Sequence, residues 1–481
     1  MTILQVVSIT GSKHSIAKNN SQDFQNSLNG KVVYANDEAF DDARAIWNRS
    51  IDKHPAMIVQ CADVSGVVKA VNFSNLHSLL TAVRGGGHNV AGNATCDGGM
   101  VIDLGAMNSV QVDEDKQTVR AGGGSTIRDI DQASLPLNLA VPLGIVSETG
   151  IGGLTLCGGH NWLTRKHGFA CDNLISVEIF TADGQVLIAS QTNNADLFWA
   201  VRGGGGNFGI VTRFEYRAHP ITPNMVFCGA FYHTKDAHKI ITGWRDYVQN
   251  APDEFTSQAA FWSIPCHDNF PVELHGQEVV IVSGVYCGEQ AAGLEYIQPL
   301  RELAEPVLDI SGPIPYDGIQ QAFDPYFNGK QERYNFWKSL YMDELTDKEV
   351  EQIIIRGQSR PNPWSIVPIR QMGGFAARVN GAESALGARD ANFMLSIDTS
   401  WTDAKDSEMA INWTRDFWNE MSVSTKGAVY LNFVSEDEDS EKMLRASYGD
   451  EHFERLVQTK AKYDSDNMFR LNQNIPAKLK S

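Results

Sequence analysis

The chain has 481 residues, of which 42% are hydrophobic and 20% charged, proportions that are ordinary for a globular protein and exclude a disordered or collagen-like chain. Its formal net charge of −18 argues against a surface that binds nucleic acid or anionic membranes. The seven cysteines are odd in number and contain no Cys-x-x-Cys pair, which argues against a disulfide framework.

The N-terminus and the apolar runs bear on targeting. The segment MTILQVVSITGSKHS has no basic start before its short apolar run, and no apolar stretch approaches the roughly 20 residues of a membrane span. We therefore expect a cytoplasmic protein with no membrane partner. Its length favours two domains, or three small ones.

The first part of the chain alternates short strands and helices. An amphipathic helix is predicted over 37–51, followed by a β-α-β unit with strands at 56–60 and 80–83 around a helix at 63–77. Further short elements are predicted as strands over 100–104, 109–112, 118–121, 174–181, 186–189 and 209–216, and as helices after an N-cap at Ser125 and over 196–201.

The β-α-β unit ends in a loop with the sequence VRGGGHN at 83–89. Its glycines at 85–87 remove the side chains that would keep the backbone away from a ligand, and their N–H groups can converge on an anion. Arg84 adds a permanent positive charge, and His88 adds a nucleophilic imidazole. The loop indicates an anion cradle ending in a nucleophile, although a loop histidine beside glycines is also typical of a merely solvent-exposed position.

Two more glycine-rich tracts follow. The tract at 144–159 is long enough to run past an extended ligand and is interpreted as the opposite wall of the site. The tract at 203–209 contains the pattern Gly-x-Gly-x-x-Gly at Gly204, Gly206 and Gly209. This pattern leaves a predicted helix and opens a strand, the reverse of the order that places a helix N-terminus against a pyrophosphate. A Rossmann fold is therefore rejected, and the same order counts against a nicotinamide-linked dehydrogenase.

The second part of the chain lacks glycine tracts and favours one antiparallel sheet covered by helices, within an α+β protein. Its strands are predicted over 225–232, 257–264, 278–285 and 392–398, and its helices over 236–249, 291–305, 346–357 and 407–421. The acidic run at 436–441 is interpreted as a solvated loop, and the tail at 448–476 as helical and then extended.

Several long motifs carry a resemblance to a known family. In chain order they are VRGGGHN, GIGGLTLCGGHNWLTRKHG, DLFWAVRGGGGNFGIVTRFEY, YLNF and KYDSDNMFRLNQNIP. With them the chain resembles the berberine-bridge-enzyme-like oxidoreductases, FAD-linked oxidases of the vanillyl-alcohol oxidase superfamily. The resemblance implies a two-domain PCMH-type FAD-binding fold, with residues 1–216 and 428–481 forming the FAD-binding domain and 217–427 an antiparallel-sheet substrate domain.

The resemblance also implies how FAD is held. The histidine of the family's RGGGH motif carries FAD covalently at the 8α position, and His88 is the matching residue. The cysteine that forms a second bond in many members is matched by Val146, so a single histidyl link is predicted, as in the hydroxynicotine oxidase branch. Cys157 replaces a glycine of the family pattern and is interpreted as a packing residue. His160 and Asn161 also depart from that pattern, which puts the local pocket shape in question.

The other cofactor contacts are carried over motif by motif. The residues expected on the pyrophosphate are Arg84, Gly85, Gly86, Gly87 and Asn89; those expected along the rest of FAD are Gly150, Gly152, Gly153, Gly159 and Val211, with Asn472 and Asn474 closing the site from the tail. No metal site is predicted.

The resemblance places the catalytic base at the tyrosine of a YxN motif, which is Tyr430 here. A free tyrosine has a pKa of about 10, so a base at neutral pH needs a cation, a hydrogen-bonding partner or an acidic relay nearby. Asp398 and Ser396 are alternative partners, because residues two apart on a strand point to the same face. The segment RYNFWKSLY places Tyr334, Trp337 and Lys338 near the substrate or in ordinary core packing, with the two left open.

The predicted function is an FAD-linked oxidase of a small alcohol, sugar, amine or secondary metabolite. Tyr430 removes a proton, a hydride passes to FAD, and O2 reoxidises the flavin with release of H2O2. Two alternatives stay open: a dehydrogenase of the same fold that uses another electron acceptor, and a flavin-binding protein without turnover. The expected partners are a small-molecule substrate and O2.

Overall fold

The computed structural model describes residues 3–327, 329, 332–435 and 440–479, and in this part of the chain the fold is α+β, as predicted. The strands that precede the large sheet are β1 Ile3–Val7, β2 Lys13–Ala17, β3 Gly30–Tyr34, β4 Met57–Cys61, β5 Thr81–Arg84, β6 Met100–Asp103, β7 Val110–Asp113, β8 Thr118–Gly122, β9 Leu139–Ala140, β10 Leu174–Phe180, β11 Val186–Ser190, β12 Ile210–Arg217 and β13 His219–Pro220. The strands of the large sheet are β14 Asn224–His233, β15 Phe255–Ser263, β16 Glu278–Tyr286, β17 Leu308–Asp309, β18 Gly312–Pro315, β19 Tyr334–Met342, β20 Val367–Gln371 and β21 Phe393–Trp401.

The α-helices occur between these strands and in the tail. They are α1 Lys18–Ser27, α2 Phe40–Arg44, α3 Val64–Leu76, α4 Ile127–Ser134, α5 Ile151–Leu156, α6 Thr164–His167, α7 Ala195–Val201, α8 Ala237–Val248, α9 Gln290–Arg301, α10 Tyr316–Gln320, α11 Asp324–Phe327, α12 Asp347–Gln358, α13 Phe375–Arg378, α14 Ser407–Ser422, α15 Ser440–Tyr448 and α16 Asp450–Tyr463. Within the described residues no helix combines the length and apolarity needed to cross a membrane.

The predicted β-α-β unit is confirmed. Helix α3 begins after Asp63, whose side chain accepts the N–H of Gly66, and it buries Val67, Ala70 and Val71. Strands β4 and β5 both pair in parallel with β6, in the sheet order β3-β4-β6-β5. The glycine loop therefore leaves the end of a parallel strand, where open α/β sheets place their ligands.

A second sheet has the strand order β11-β10-β12-β8-β7. Its strand β12 contains Val211, one of the predicted cofactor residues. The adjoining helix α4 is capped by Thr126 and not, as predicted, by Ser125. The Thr126 hydroxyl accepts the N–H of Asp129 while the Asp129 carboxylate accepts the N–H of Thr126. This reciprocal pair satisfies two orphan donors of the helix terminus, which a serine one residue earlier could not do.

The helix predicted over 37–51 is confirmed only over Phe40–Arg44 and is wrong on both sides of that segment. The next backbone groups bond to distant segments: the Trp47 N–H donates to Gly87 O at 3.1 Å, and the Arg49 N–H donates to Arg333 O at 2.9 Å. These long-range partners replace the helical hydrogen bonds and bring Trp47 to the glycine loop.

The large sheet has the order β17-β14-β16-β15-β20-β21-β19, with β18 also pairing β14, and every pairing is antiparallel. Helices cover one face, where Trp244, Ile353 and Phe417 pack on Leu395 and Ile397 of β21. Because side chains alternate along a strand, Ser396 and Asp398 point to the opposite face. That face is turned toward the glycine tracts.

The tail returns to the glycine-rich part of the molecule. The buried ammonium of Lys460 donates to Asn207 O at 2.7 Å and to Phe469 O at 3.0 Å, and the Ile475 N–H donates to Asn207 Oδ1 at 2.9 Å. The domain limits at 216/217 and 427/428 stay a prediction. Residues 436–439 of the acidic run lie outside the described residues.

Candidate active site

A cavity of about 290 Å³ lies between the three glycine tracts, the tail and strands β20 and β21. The sequence-predicted residues that line it are Gly85, Gly86, Gly87, His88, Asn89, Gly150, Gly152, Gly153, Val211, Asp398, Tyr430 and Asn472. Segments far apart in the chain thus supply one continuous wall. The fold brings most of the predicted cofactor and catalytic residues to the same space.

Arg84 is not among the described residues that line the cavity, and its contact with a pyrophosphate stays a prediction. Its guanidinium lies 2.7 Å from the carboxylate of Asp103, and both side chains are largely buried. The two residues are paired across the parallel strands β5 and β6. The charge of the Arg84 guanidinium is thus paired within the sheet, while its Nη1 atom has no hydrogen-bond partner among the described residues.

Gly159, Ser396 and Asn474 are also not among the described lining residues. The Gly159 N–H donates to the hydroxyl of Tyr430 at 3.1 Å, and the Ser396 hydroxyl donates to the carboxylate of Asp398. Gly159 and Ser396 therefore each form a hydrogen bond with a residue that lines the cavity. Asn474 is a neighbour of Ile475, whose backbone is fixed on Asn207.

The first two glycine tracts meet backbone to backbone. A Cβ atom added to Gly86 would lie 2.4 Å from the nitrogen of Gly150, and one added to Gly150 would lie 2.2 Å from the nitrogen of Gly86. Such separations are well inside van der Waals contact, so only glycine fits at either position. Gly87 adopts a φ of +70°, which also favours glycine. The two tracts form a cradle with backbone close to the ligand space.

His88 follows the cradle and faces an aromatic wall. Its ring stacks on Trp47 with a centroid separation of 5.3 Å and an interplanar angle of 20°. Trp47 in turn lies edge-on to Trp337, 5.2 Å away, and donates its indole N–H to Phe327 O at 2.6 Å. These contacts fix the plane of the imidazole at the cavity wall.

Tyr430 lies in a loop before a short 3-10 turn and is buried. Its hydroxyl accepts hydrogen bonds from the Asn432 side chain at 3.0 Å and from the Gly159 N–H at 3.1 Å. Burial raises the pKa of Tyr430 above its ordinary value, and the bond from Asn432 opposes that shift. The phenol is therefore protonated at neutral pH, with its lone pairs engaged by two donors.

Asp398 is a buried carboxyl on β21 with two partners. The Nη2 atom of Arg370 lies 3.4 Å from its Oδ2, and the Ser396 hydroxyl donates to Oδ1. Burial raises the pKa of Asp398 above its ordinary value, while the charge of Arg370 and the bond from Ser396 act in the opposite direction. A carboxyl with a raised pKa can accept a proton closer to neutral pH than a free one.

Sequence reasoning missed Arg370, which lines the cavity from β20. Its neighbours Val367 and Ile369 belong to the helix-covered core, so alternation places Arg370 on the cavity face. A charged residue directly after the apolar run VPI was the available signal. Its partner Asp398 is distant in the chain and became visible only with the pairing of β20 and β21.

The three departures from the family pattern have different environments. His160 and Cys157 line the cavity, whereas Asn161 is fully buried and donates to the hydroxyl of Tyr316 at 3.3 Å. Burial and the charge of Arg370 lower the pKa of His160 to about 3. Burial raises the pKa of the Cys157 thiol to about 12, so it is an unreactive thiol at neutral pH.

The segment at 334–338 contributes one lining residue, Trp337. Tyr334 instead stacks on Trp401, with ring centroids 5.9 Å apart, and the Lys338 ammonium lies 4.4 Å from the ring centroid of Trp418. Trp337 continues the aromatic wall to Phe433, whose ring is 5.6 Å away and edge-on. The wall suits a flat ligand.

Two features of the cavity itself suit FAD. A Cβ added to Gly153 or Gly206, both in the cavity wall, would meet no protein atom within 4 Å, so their backbone borders open space for a phosphate or ring. The buried Oδ1 of Asn472 has no hydrogen-bond partner among the described residues. A bound group with N–H or O–H donors would satisfy that oxygen. In the described part of the chain no group of three or more His, Cys, Asp or Glu side chains could hold a metal ion.

Two family models match the chain. One, described as an FAD binding domain, matches residues 55–190, and the other, described as berberine and berberine like, matches residues 429–476. The first match contains His88 and the cradle. The second contains Tyr430 and Asn472.

Full-length relatives agree with these matches. (R)-6-hydroxynicotine oxidase of Paenarthrobacter nicotinovorans is 30% identical over 461 residues, which cover 93% of this chain and 97% of that relative. An FAD-linked oxidoreductase of Bacillus subtilis strain 168 is 28% identical over 454 residues, covering 93% of this chain and 97% of that relative.

Solved structures show the same likeness. 6-Hydroxy-D-nicotine oxidase from Arthrobacter nicotinovorans matches with a TM-score of 0.84 at 28% identity, covering 94% of this chain and 99% of that one. Chitooligosaccharide oxidase matches with a TM-score of 0.84 at 21% identity, covering 95% and 99%, a likeness of fold alone.

Proposed function

The chain belongs to the berberine-bridge-enzyme-like FAD-linked oxidoreductases, and from this membership we propose that it is an oxidase of a small molecule, with FAD attached through His88 alone. The observation that carries the proposal is the shared cavity, which is lined by the cradle, His88, Asp398 and Tyr430 together. The cradle suits a cofactor, and a carboxyl and a phenol in the same cavity suit proton transfer.

The residues that would hold FAD are His88, Gly86, Gly150, Val211 and Asn472, all of which line the cavity. When bound, FAD supplies the acceptor for a hydride from a substrate C–H bond and the route by which two electrons reach O2, which leaves as H2O2. Val146 lines the same cavity and offers no thiol, which supports a single covalent link.

The sequence prediction made Tyr430 the proton acceptor; we propose instead that Asp398 accepts the proton and that Tyr430 donates a hydrogen bond to the substrate. The phenol is held protonated by burial, and both of its lone pairs accept N–H donors, so its own hydrogen is available to a substrate oxygen or nitrogen. The carboxylate can take the proton that leaves a substrate hydroxyl or amine as the carbon is oxidised. Ser396 orients that carboxylate.

The names of relatives support oxidase chemistry on small molecules. They include (R)-6-hydroxynicotine oxidase, chitooligosaccharide oxidase and a xylooligosaccharide oxidase from Myceliophthora thermophila. These names describe a hydroxynicotine and two oligosaccharides. The reaction class is common to them, whereas the substrates differ, so we propose for this chain the class alone.

Oxygen uptake tests the proposal most simply. The purified holoprotein is incubated with panels of alcohols, sugars and cyclic amines in an oxygen electrode, and H2O2 is measured with a peroxidase-coupled dye. We expect one class to give equal amounts of O2 consumed and H2O2 formed. Substrate-dependent reduction of an artificial electron acceptor without O2 uptake would instead establish the dehydrogenase. A bound flavin that none of the panels bleaches under anaerobic conditions would count against turnover of these classes.

A further inference from the structure

Arg370 is a buried cation whose hydrogen bonding is incomplete. Its side chain is 9% exposed, and its contact with Asp398, at 3.4 Å, is at the long end for a hydrogen bond. The buried Nη1 atom has no hydrogen-bond partner among the described residues. A guanidinium carries five N–H donors, and leaving those of a buried charge unpaired is costly.

Arg370 contacts an aromatic ring and also borders the cavity. One face of the guanidinium lies over the ring of Phe433, with Cζ 5.0 Å from the centroid, a cation–π contact that accepts no hydrogen bond. Arg370 itself lines the cavity. A ligand oxygen in the cavity can therefore reach the edge of the guanidinium that Asp398 leaves unfilled.

His160 is a second polar group in the same wall with an unused atom. It lines the cavity, and its buried Nε2 has no partner among the described residues. Burial and the positive charge of Arg370 keep its ring neutral. A neutral imidazole retains one N–H donor without adding a second positive charge beside Arg370.

The proposed proton transfer to Asp398 favours an anionic ligand group beside Arg370. Among the described lining residues, Arg370 is the one cation and Asp398 the one carboxylate. When Asp398 takes up the substrate's proton, as proposed above, its charge is lost and Arg370 is left without a counter-ion. A negatively charged substrate group at Arg370 would then take the place of Asp398 as the counter-ion of the guanidinium.

We infer that the substrate of this enzyme carries a carboxylate, bound by Arg370 with His160 as a further hydrogen-bond donor, on a flat body that packs against Trp337. A carboxylate matches the fork of a guanidinium and can accept two N–H bonds at once. The inference rests on the proposed function for the assignment of the cavity as substrate site. It narrows that function to acids among the small molecules considered.

Binding of benzoate and of benzamide to the holoenzyme tests this inference. The two probes share shape and differ in charge, and binding is followed by calorimetry and by the visible difference spectrum of the flavin. We expect benzoate to bind at least about tenfold more tightly than benzamide, the factor that about 1.4 kcal/mol of charge-assisted bonding gives. Arg370→Gln should reduce the preference to about twofold or less, and Arg370→Lys should retain part of it.

Arg378→Gln is the matched control, because Arg378 is 60% exposed on the surface, where it pairs with Asp253. This variant should keep the full preference for benzoate. Since the comparison of the two probes on the unaltered enzyme needs no variant, misfolding of Arg370→Gln does not remove the test. His160→Leu should weaken benzoate more than benzamide.

Equal binding of the two probes, or no binding of either at millimolar concentration, overturns the inference. These results leave the oxidase proposal standing, because they do not depend on turnover. Conversely, an enzyme that prefers benzoate yet consumes no O2 with any substrate class supports the carboxylate site and contradicts the oxidase. The two failures are thus separable.

Discussion

The side-chain amide of Asn432 lies 3.0 Å from the hydroxyl of Tyr430 and donates a hydrogen bond to it. The same amide donates to Leu154 O at 3.1 Å, within the second glycine tract. The Asn432 side chain thus connects Tyr430 to the wall that we assign to the cofactor. With the Gly159 N–H as second donor, it leaves the phenol hydrogen as the group that faces a ligand.

The division of work between Asp398 and Tyr430 gives the first prediction. Asp398→Asn should lower kcat by about 10²–10⁴-fold, the range for loss of a general base. Tyr430→Phe should lower it by about tenfold, as expected for loss of one hydrogen bond to a neutral group. Both variants should retain flavin, which the visible spectrum checks.

The pH profile separates the two roles. The active form of Asp398 is the carboxylate, and burial raises the pKa of this group above its ordinary value. We therefore expect kcat/KM to rise with pH through that pKa and then level off, and we expect Asp398→Asn to lose this rise. An unchanged rise in Asp398→Asn, with the larger loss in Tyr430→Phe, would return the base role to the tyrosine.

The glycine cradle gives the second prediction, made in the His88→Ala background so that flavin can be removed. Gly86→Ala should destabilise the apoprotein, because the new methyl group would lie 2.4 Å from the Gly150 nitrogen. Gly153→Ala should leave the apoprotein as stable or slightly more stable, since its Cβ meets no atom within 4 Å and alanine favours helix α5.

The two alanine variants should therefore differ in thermal midpoint but agree in weakened FAD binding, because Gly153 lines the cavity. Thermal unfolding of the apoprotein and flavin titration measure the two effects. Tight FAD binding by Gly153→Ala would contradict the assignment of this wall to the cofactor.

A buried carboxyl away from the cavity gives the third prediction. Asp131 on α4 accepts one bond from Gln320 at 3.4 Å, its Oδ1 has no partner among the described residues, and burial raises its pKa to about 7. In the unfolded chain the pKa is about 4. Its ionisation therefore costs folding free energy, a cost absent below pH 4 and complete above pH 7.

Asp131→Asn removes that cost. Relative to the unaltered protein, the variant should gain stability as pH rises from about 4 to about 7 and hold the gain above that, as measured by urea denaturation across the range. The exposed Asp115→Asn is the control and should show a difference that is small at every pH. A gain largest at acid pH would have the wrong sign for this explanation.

The buried lysine of the tail gives the fourth prediction. Lys460 and Asp464 form a 2.7 Å ion pair with both side chains fully buried, whereas the 2.6 Å pair of Lys462 and Asp196 is largely exposed. Lys460→Met should cost about 3–5 kcal/mol, because it leaves a buried carboxylate unpaired. Lys462→Met should cost less than about 1 kcal/mol. The denaturant midpoints of the two variants measure these losses of stability. Similar losses in both variants would show that burial of the Lys460–Asp464 pair does not determine its contribution to stability.

Much of the fold was predictable because its signals are local. The apolar periodicity of α3 and its cap at Asp63 fixed the β-α-β unit. The motifs from the glycine loop to the tail indicated the PCMH-type FAD-binding fold and the family, and both are confirmed. The prediction of a helix over 37–51 was wrong because backbone N–H groups of this segment donate to Gly87 and Arg333. No local sequence pattern reveals such distant partners.

The site residues that lie in glycine tracts and motifs were predictable from the sequence. Those whose neighbours are set by strand pairing were less predictable. Arg84 next to the glycine loop suggested a phosphate ligand, yet pairing of β5 with β6 places Asp103 beside it. Arg370 was missed for the same reason, since its relation to Asp398 arises across two strands. The role of each of these charged side chains therefore depends on neighbours that are remote in sequence.

Attachment of FAD to His88 is the central claim, and acid precipitation tests it directly. The purified protein and its His88→Ala variant are precipitated with acid, and the visible spectra of pellet and supernatant are recorded. The account predicts yellow colour in the pellet of the unaltered protein and in the supernatant of the variant. Flavin released into the supernatant by the unaltered protein would contradict the covalent link, and a colourless protein that FAD cannot reconstitute would contradict the cofactor assignment itself.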